Sequence, residues 1–243
     1  MSASASRLPD QSTVFDTVVI NYFLAAGEIG LLADLFDGSL MMPRAVFDPD
    51  EEDTGREEGL SELRRGLHLH RRRCEDDGAP PELRARSERA LPEFERLPEL
   101  ASRAVLRVVD LNDDELTVYA QLRDAAYVRR YGVLLGLGPG EAAVLAICSK
   151  RRWHPATDDS DAVRVAEQRL PGVKPLRIRA LLRLAVDRGA IGLDRARAMP
   201  RSARISSPGS SGINSVSRRS DSGESSGDGP EPGGRRHNLP SNR

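Results

Sequence analysis

An α/β protein of three layers, with helices on both faces of a central, mostly parallel sheet, is predicted by three observations. Short apolar strands alternate with amphipathic helical stretches along the chain. The first strand runs through Val14 and Phe15 into Asp16 and is followed at once by a helix that Thr17 can cap. A chain of 243 residues is long enough to bury a core without disulfide staples.

The elements follow in order. Val18–Ala26 reads as a helix stopped by Gly27, and 29–36 carries apolar residues at helical spacing. Residues 39–42 form a short strand stopped by Pro43. The acidic run 48–53 opens a region of different character, with Leu60, Leu63 and Leu67 on one stripe of a helix over 57–73. A second amphipathic helix follows Pro80-Pro81, with Leu83, Ala90, Leu91 and Phe94 as its apolar positions. The whole of 48–100 reads as a helical hairpin inserted between core elements.

Residues 106–111 return to strand character, and Asn112 with Glu115 forms a capping-box start for a helix expected to reach about Arg130. A glycine turn over 136–140 precedes a short Ala-rich helix over 141–149. Then come a strand over 154–157, a helix over 162–170, a last strand over 173–176 and a helix over 177–187 stopped by Gly189. The small polar residues 1–11 are expected to form a flexible leader, and 12–200 the folded domain. Over 201–243 there are 12 Ser, 7 Gly and 4 Pro but only five apolar side chains, so a disordered tail is expected.

Charge and cysteine content narrow the function. Basic and acidic residues number 36 and 37, which argues against a polybasic polyanion coat and against an acidic solvating protein. All but Lys150 and Lys174 of the basic residues are arginines, so an arginine is not by itself evidence of a phosphate site. Cys74 and Cys148 are far apart and form no C-x-x-C pair, which fits a cytoplasmic protein with reduced thiols. No secretory signal is legible, and no segment is apolar for long enough to span a bilayer.

The chemistry gathers on acids. Asp16 ends the first strand, Asp158, Asp159 and Asp161 follow a later one, and Glu141 begins a helix directly after the glycine turn. Strand C-termini line the crevice of an open parallel sheet, so these acids are expected in one cleft. Converging carboxylates repel each other, and a divalent cation relieves the conflict. Oxygen ligands completed by water suit Mg²⁺ or Mn²⁺, and such a site activates water against a phosphodiester. Any one of these acids taken singly reads better as a surface residue or a helix cap; it is their arrangement in one chain that points to a site.

Four stretches carry a resemblance: VFDTVVINYF (14–23), MPRAVFD (42–48), LGPGEAAVLAI (137–147) and ATDDSDAVRVA (156–166). In order and spacing they resemble the PIN-domain ribonucleases, the fold of many toxin–antitoxin toxins, over roughly 12–195 outside the insertion. The resemblance implies Asp16, Glu141 and Asp159 as metal ligands, with Asp161 as a fourth acid held through water. Asp158 fills a slot that is Asn or Asp in the family. Thr17 is implied to orient the Asp16 carboxylate, and Asn21 matches a polar position on the first helix. The family's Glu in the turn after P-R-A-V is missing, Pro49 standing in its place, with Asp48 and Asp50 as candidate replacements.

Two arginine groups complete the candidates. Arg71 and Arg72 belong to a locally basic stretch over 62–73 that could track a phosphate backbone or form a solvated helix face. Arg151 and Arg152 precede Trp153, a combination that suits a nucleic acid, although a Trp at a helix–strand junction is more often a core plug. The activity expected is Mg²⁺- or Mn²⁺-dependent endonucleolytic cleavage of RNA, with single strands favoured because their backbone bends and their bases are exposed. The alternative is a catalytically silent PIN-like module that binds RNA or protein through 48–100. A small antitoxin-like protein and a second copy of the chain are the partners left open.

Overall fold

The computed structural model describes residues 12–51 and 59–199. The leader expected over 1–11 and the tail expected over 201–243 lie outside the described residues. Strand β1 (Thr13–Phe15) leads into α1 (Thr17–Ala25) and α2 (Ile29–Asp34), and β2 spans Leu40–Pro43. The insertion contributes α3 (Glu62–Glu75), α4 (Pro81–Glu95) and α5 (Leu97–Ser102). Then come β3 (Leu106–Val109), α6 (Asp113–Arg123), α7 (Ala125–Val128) and a 3₁₀ turn at Arg129–Tyr131. The chain continues through α8 (Pro139–Arg151), β4 (His154–Ala156), α9 (Ser160–Arg169), α10 (Ile178–Asp187) and α11 (Leu193–Ala198).

The four strands form one sheet in the order β3-β2-β1-β4, with every pairing parallel. Registers run Thr13 to His154 and Phe15 to Ala156 on one side of β1, and Leu40 to Leu106 and Pro43 to Val109 between β2 and β3. The chain moves outward from β1 to β3 and then returns to the other side of β1 for β4. That reversal opens a crevice at the C-terminal ends of β1 and β4, where open α/β sheets bind ligands.

Successive side chains on a strand point to opposite faces. Phe15 accordingly packs with α1–α5 and Leu181 of α10, while Val14 packs with α6–α9. The two buried clusters put helices on both faces of the sheet. The insertion belongs to the core: Leu63, Leu67, Ala90 and Phe94 are buried beside Phe15, Phe23 and Phe47. Gly66 lets α3 press on the Phe94 ring, since a Cβ there would stand 3.0 Å from its edge.

Beyond the expected elements the structure adds α5 to the hairpin and α11 after Gly189, and β3 ends at Val109; two further differences have a local cause. The helix opened by Asn112 stops at Arg123, because Asp124 turns extended (φ −81°, ψ 116°) and its carboxylate caps the next helix through the Ala126 N–H. The strand expected over 173–176 reduces to one bridge between Ala156 and Leu176. Pro175 has no N–H to extend the ladder. Among the described residues no helix is long and apolar enough to cross a membrane.

Candidate functional site

Asp16 ends β1 and is fully buried. Its backbone N–H continues the sheet by donating to Ala156 O at 2.9 Å. One carboxylate oxygen accepts from the Thr17 N–H and the other from the Thr157 hydroxyl, both at 2.7 Å. Thr157 follows β4, and its hydroxyl oxygen also accepts from the Asp159 N–H at 3.2 Å. A threonine thus ties the ends of the two strands across the crevice. Asp159 caps α9, its carboxylate accepting from the N–H groups of Asp161 and Ala162 at 2.9 and 2.8 Å.

Glu141 enters from the first turn of α8. Its Oε2 is buried without a hydrogen-bond partner among the described residues. A side chain on Gly138 would collide with that carboxylate. The glycine turn is therefore a space requirement of the acid as well as a helix start.

The fourth acid is Glu62, at the start of α3, which the sequence reading did not select. The Thr17 hydroxyl donates to its Oε2, and the Gly140 N–H donates to its Oε1 at 2.9 Å. A Cβ on Gly140 would collide with the Glu62 carboxylate. The two ends of the loop between Val46 and Ser61 meet: Glu62 N–H donates to Ala45 O at 3.0 Å and Leu63 N–H to Val46 O at 2.9 Å. Glu51 helps to close it by accepting from the Ser61 hydroxyl at 2.9 Å. In space, Glu62 comes directly after Ala45-Val46. Asp48 and Asp50, the candidates for that acid, instead pair with Arg44 at 2.5 and 3.0 Å, beside Asp110 at 3.0 Å.

The electrostatics follow from this crowding. Burial first, then the charges of Glu141 and Glu62, raise the Asp16 carboxyl well above its usual range against the lowering effect of Thr157 and Thr17. Burial, then Glu62 and Asp159, push Glu141 up to about 7, while its own backbone N–H and Arg123 pull the other way. Asp16, Glu62, Glu141 and Asp159 therefore sense one another as a group.

The other sequence candidates divide. Asp161 lies at the rim and faces Arg164 at 3.5 Å. Asp158 pairs with Arg177 at 2.9 Å, and its charge adds to burial in raising the Tyr22 phenol. Asn21 is buried on α1 with its Oδ1 unpartnered among the described residues. Arg71 pairs across the hairpin with Glu95 at 3.6 Å, and Arg72 is exposed on the same helix. Arg151 lies ten residues along α8 from Glu141, a rise of about 15 Å, and Arg152 caps the helix one residue further on. Arg151 grips the buried Glu115 there, and Arg152 ends the helix at φ 59°.

Among the described residues no group of three or more His, Cys, Asp or Glu side chains is already arranged to hold a metal ion. Both oxygens of Asp16 and both of Glu62 are taken up by hydrogen bonds within the protein. No family model, no curated protein and no solved structure matches the chain.

Proposed function

We propose that the chain is a PIN-like, Mg²⁺- or Mn²⁺-dependent endoribonuclease that hydrolyses phosphodiester bonds of single-stranded RNA. The reading is carried by one observation: beside Asp16, Glu62 and Asp159, Glu141 holds a buried carboxylate oxygen with no partner among the described residues. Crowded, desolvated acids without a cation are costly, and four of them, Asp16 fully buried and Glu62, Glu141 and Asp159 half-buried, at the switch point of a parallel sheet suit a cation better than a core. The donor set is all oxygen, which fits a hard divalent ion. Asp16, Glu62, Glu141 and Asp159 would hold it, and Asp161 would assist from the rim.

A bound ion of this kind polarises a phosphoryl oxygen and lowers the pKa of water. The chain's own residues prepare the acids. Thr157 and the Thr17 N–H fix the Asp16 carboxylate, while the Thr17 hydroxyl and the Gly140 N–H fix Glu62. Burial and neighbouring carboxylates raise both Asp16 and Glu141, so cation loading, which needs their ionised forms, would be coupled to proton release.

The alternative, a catalytically silent module that binds RNA or protein, is favoured by one feature. The Asp16 and Glu62 oxygens already have partners inside the protein. A Mn²⁺ titration of chelator-washed protein separates the two readings. The enzyme reading expects the melting temperature to rise with Mn²⁺, by the equivalent of about 2.7 kcal/mol at a hundredfold excess over Kd. It also expects Mn²⁺-dependent RNA cleavage, which Asp16→Asn and Asp159→Asn reduce on the order of a hundredfold or more. A flat titration without cleavage would leave the silent module standing.

A further inference from the structure

A second polar assembly lies at the other end of α9 from the acids. Arg169, in the last turn of α9, donates to the Tyr127 hydroxyl and, at 3.4 Å each, reaches the Tyr131 hydroxyl and Gln121 Oε1. The Arg130 guanidinium stands 3.5 Å from the Tyr127 ring centroid and 5.7 Å from that of Tyr131. The two rings are 6.1 Å apart and both half-buried, and Arg130 itself is exposed.

The turn that carries them is pinned to α9. Arg164 donates to Gly132 O at 2.7 Å, Gln168 approaches Tyr131 O at 3.5 Å, and Arg130 Nε donates back to Tyr127 O at 2.9 Å.

Among the described residues no carboxylate compensates the charge of this assembly. Arg164, on the same helix as Arg169, by contrast meets Asp161. Among the described residues Arg130 and Arg169 contact only rings, hydroxyls, a carbonyl and an amide. Of the acids on these elements, Asp124 caps α7 and Asp161 faces Arg164, while Glu167 is exposed on α9 and pairs with neither Arg130 nor Arg169 among the described residues. Hydrogen bonds from Tyr131 and Arg169, with the charges of Arg169 and Arg130, outweigh burial and lower the Tyr127 phenol.

We infer that Tyr127, Arg130, Tyr131 and Arg169 form a subsite for a single-stranded RNA, gripping it away from the bond that the acids cleave. Two guanidiniums without carboxylate partners supply phosphate contacts, and flat aromatic–guanidinium pairs supply stacking surface for bases. Pinning the turn in advance lowers the ordering cost of binding. Asp159 caps the start of α9 and Arg169 closes it, so the helix separates subsite from acids by a rise of about 15 Å. The subsite rests on the nuclease reading for the location of the chemistry, but its occupancy is measurable without catalysis.

The test is fluorescence anisotropy of a labelled single-stranded RNA with the full chain in EDTA, across a series of salt concentrations. The double variant Arg130→Gln/Arg169→Gln is expected to weaken binding about tenfold or more and to lower the log–log salt slope by about 1.4, at about 0.7 per lost phosphate contact. Arg130→Gln alone, at an exposed position, is expected to lower the slope by about half as much while keeping the melting temperature. The control Arg179→Gln/Arg183→Gln, of equal charge on α10, is expected to leave affinity and slope unchanged. Equal binding by wild type and the Arg130 variants overturns the subsite and leaves the nuclease reading untouched. Equal weakening by the control pair reduces the effect to net charge and also overturns it. A wild type that binds no RNA, or binds only an acidic peptide through these residues, overturns the subsite, and failure of Mn²⁺-dependent cleavage separately overturns the nuclease reading.

Discussion

Glu115, fully buried, and Glu141, half-buried with its Oε2 shut off from solvent, stand in the first turns of the packed helices α6 and α8, and their surroundings are opposite. Glu115 is fully buried, and its carboxylate accepts from the Asn112 N–H at 2.9 Å and from two nitrogens of Arg151 at 2.6 and 2.8 Å. Burial would raise it, but the Arg151 fork, the Asn112 N–H and the charges of Arg151 and Lys150 hold it below the usual range. Glu141 has mainly like charges for neighbours, with Arg123 a weaker opposing one, one oxygen without a partner among the described residues, and a carboxyl pushed up to about 7. A buried acid with its cation supplied by the fold is a structural clamp. A buried acid crowded by other acids leaves an opening for a cation from outside.

The strongest way to break this contrast is to make the clamp resemble the cluster. Arg151→Ala leaves Glu115 buried and unpaired, and removing one member of a buried pair costs about 3 kcal/mol or more. The partial exposure of Arg151, at 28%, places the expected loss at the lower end. Urea unfolding at neutral pH should show that loss, while the Mn²⁺-induced rise in melting temperature stays as in the wild type. A loss within the noise of a surface substitution would mean that the Glu115 fork is not the clamp described.

The converse change should have the opposite sign. Glu141→Gln removes the ionising group, and the wild-type carboxyl goes from an ordinary 4.5 to about 7 on folding. A group raised in the folded state keeps its stability at low pH and loses it as pH climbs through its folded value. Without metal, the wild type should therefore weaken between about pH 4.5 and 7, and the Gln variant should be more stable at pH 8 by about 1–3 kcal/mol. Paired urea titrations in chelator at pH 5 and pH 8 measure it. Equal stability at both values would remove the electrostatic cost assigned to the cluster.

The same contrast explains what could be read from the residues alone. Asp16, Glu141 and Asp159 each adjoin a local signal: a strand end, a glycine turn, a helix cap. The order of those signals was enough to place them at one edge of the sheet. Glu62 has no such neighbour in the chain. Its position depends on two backbone hydrogen bonds to Ala45 and Val46 across a loop whose closure is a tertiary event. A Ser-Glu helix start at 61–62 and two glycines flanking Pro139 were the available traces, and they make sense only when brought together. The helix expected to run to Arg130 was overextended for a similar reason: Asp124 breaks it by capping its successor, a competition that periodicity does not register. Thr157 was passed over beside the three aspartates that follow it, although its hydroxyl bridges Asp16 and Asp159.

His70 tests the contrast with a base, and its expected effect is the smallest. It is buried between α3 and α4, its Nδ1 lies 3.0 Å from the Ser87 hydroxyl, and its Nε2 has no partner among the described residues. Burial, then the charges of Arg73 and Arg86, lower it from 6.5 to about 4. A base depressed in the folded state costs nothing above its unfolded value and costs progressively more as pH falls toward its folded value. Stability should therefore decline from about pH 6.5 toward 4, with no more than about 1.4 kcal/mol per pH unit from this residue. The acids of the cluster move the other way in part of that range, so the wild-type curve alone does not isolate His70. The difference between wild type and His70→Gln does: it should change by about 1–2 kcal/mol between pH 7 and pH 5, the wild type losing more. A constant difference would show that the hairpin accommodates a protonated imidazole, and an unpaired buried cation would then be cheaper in this fold than an unpaired buried anion.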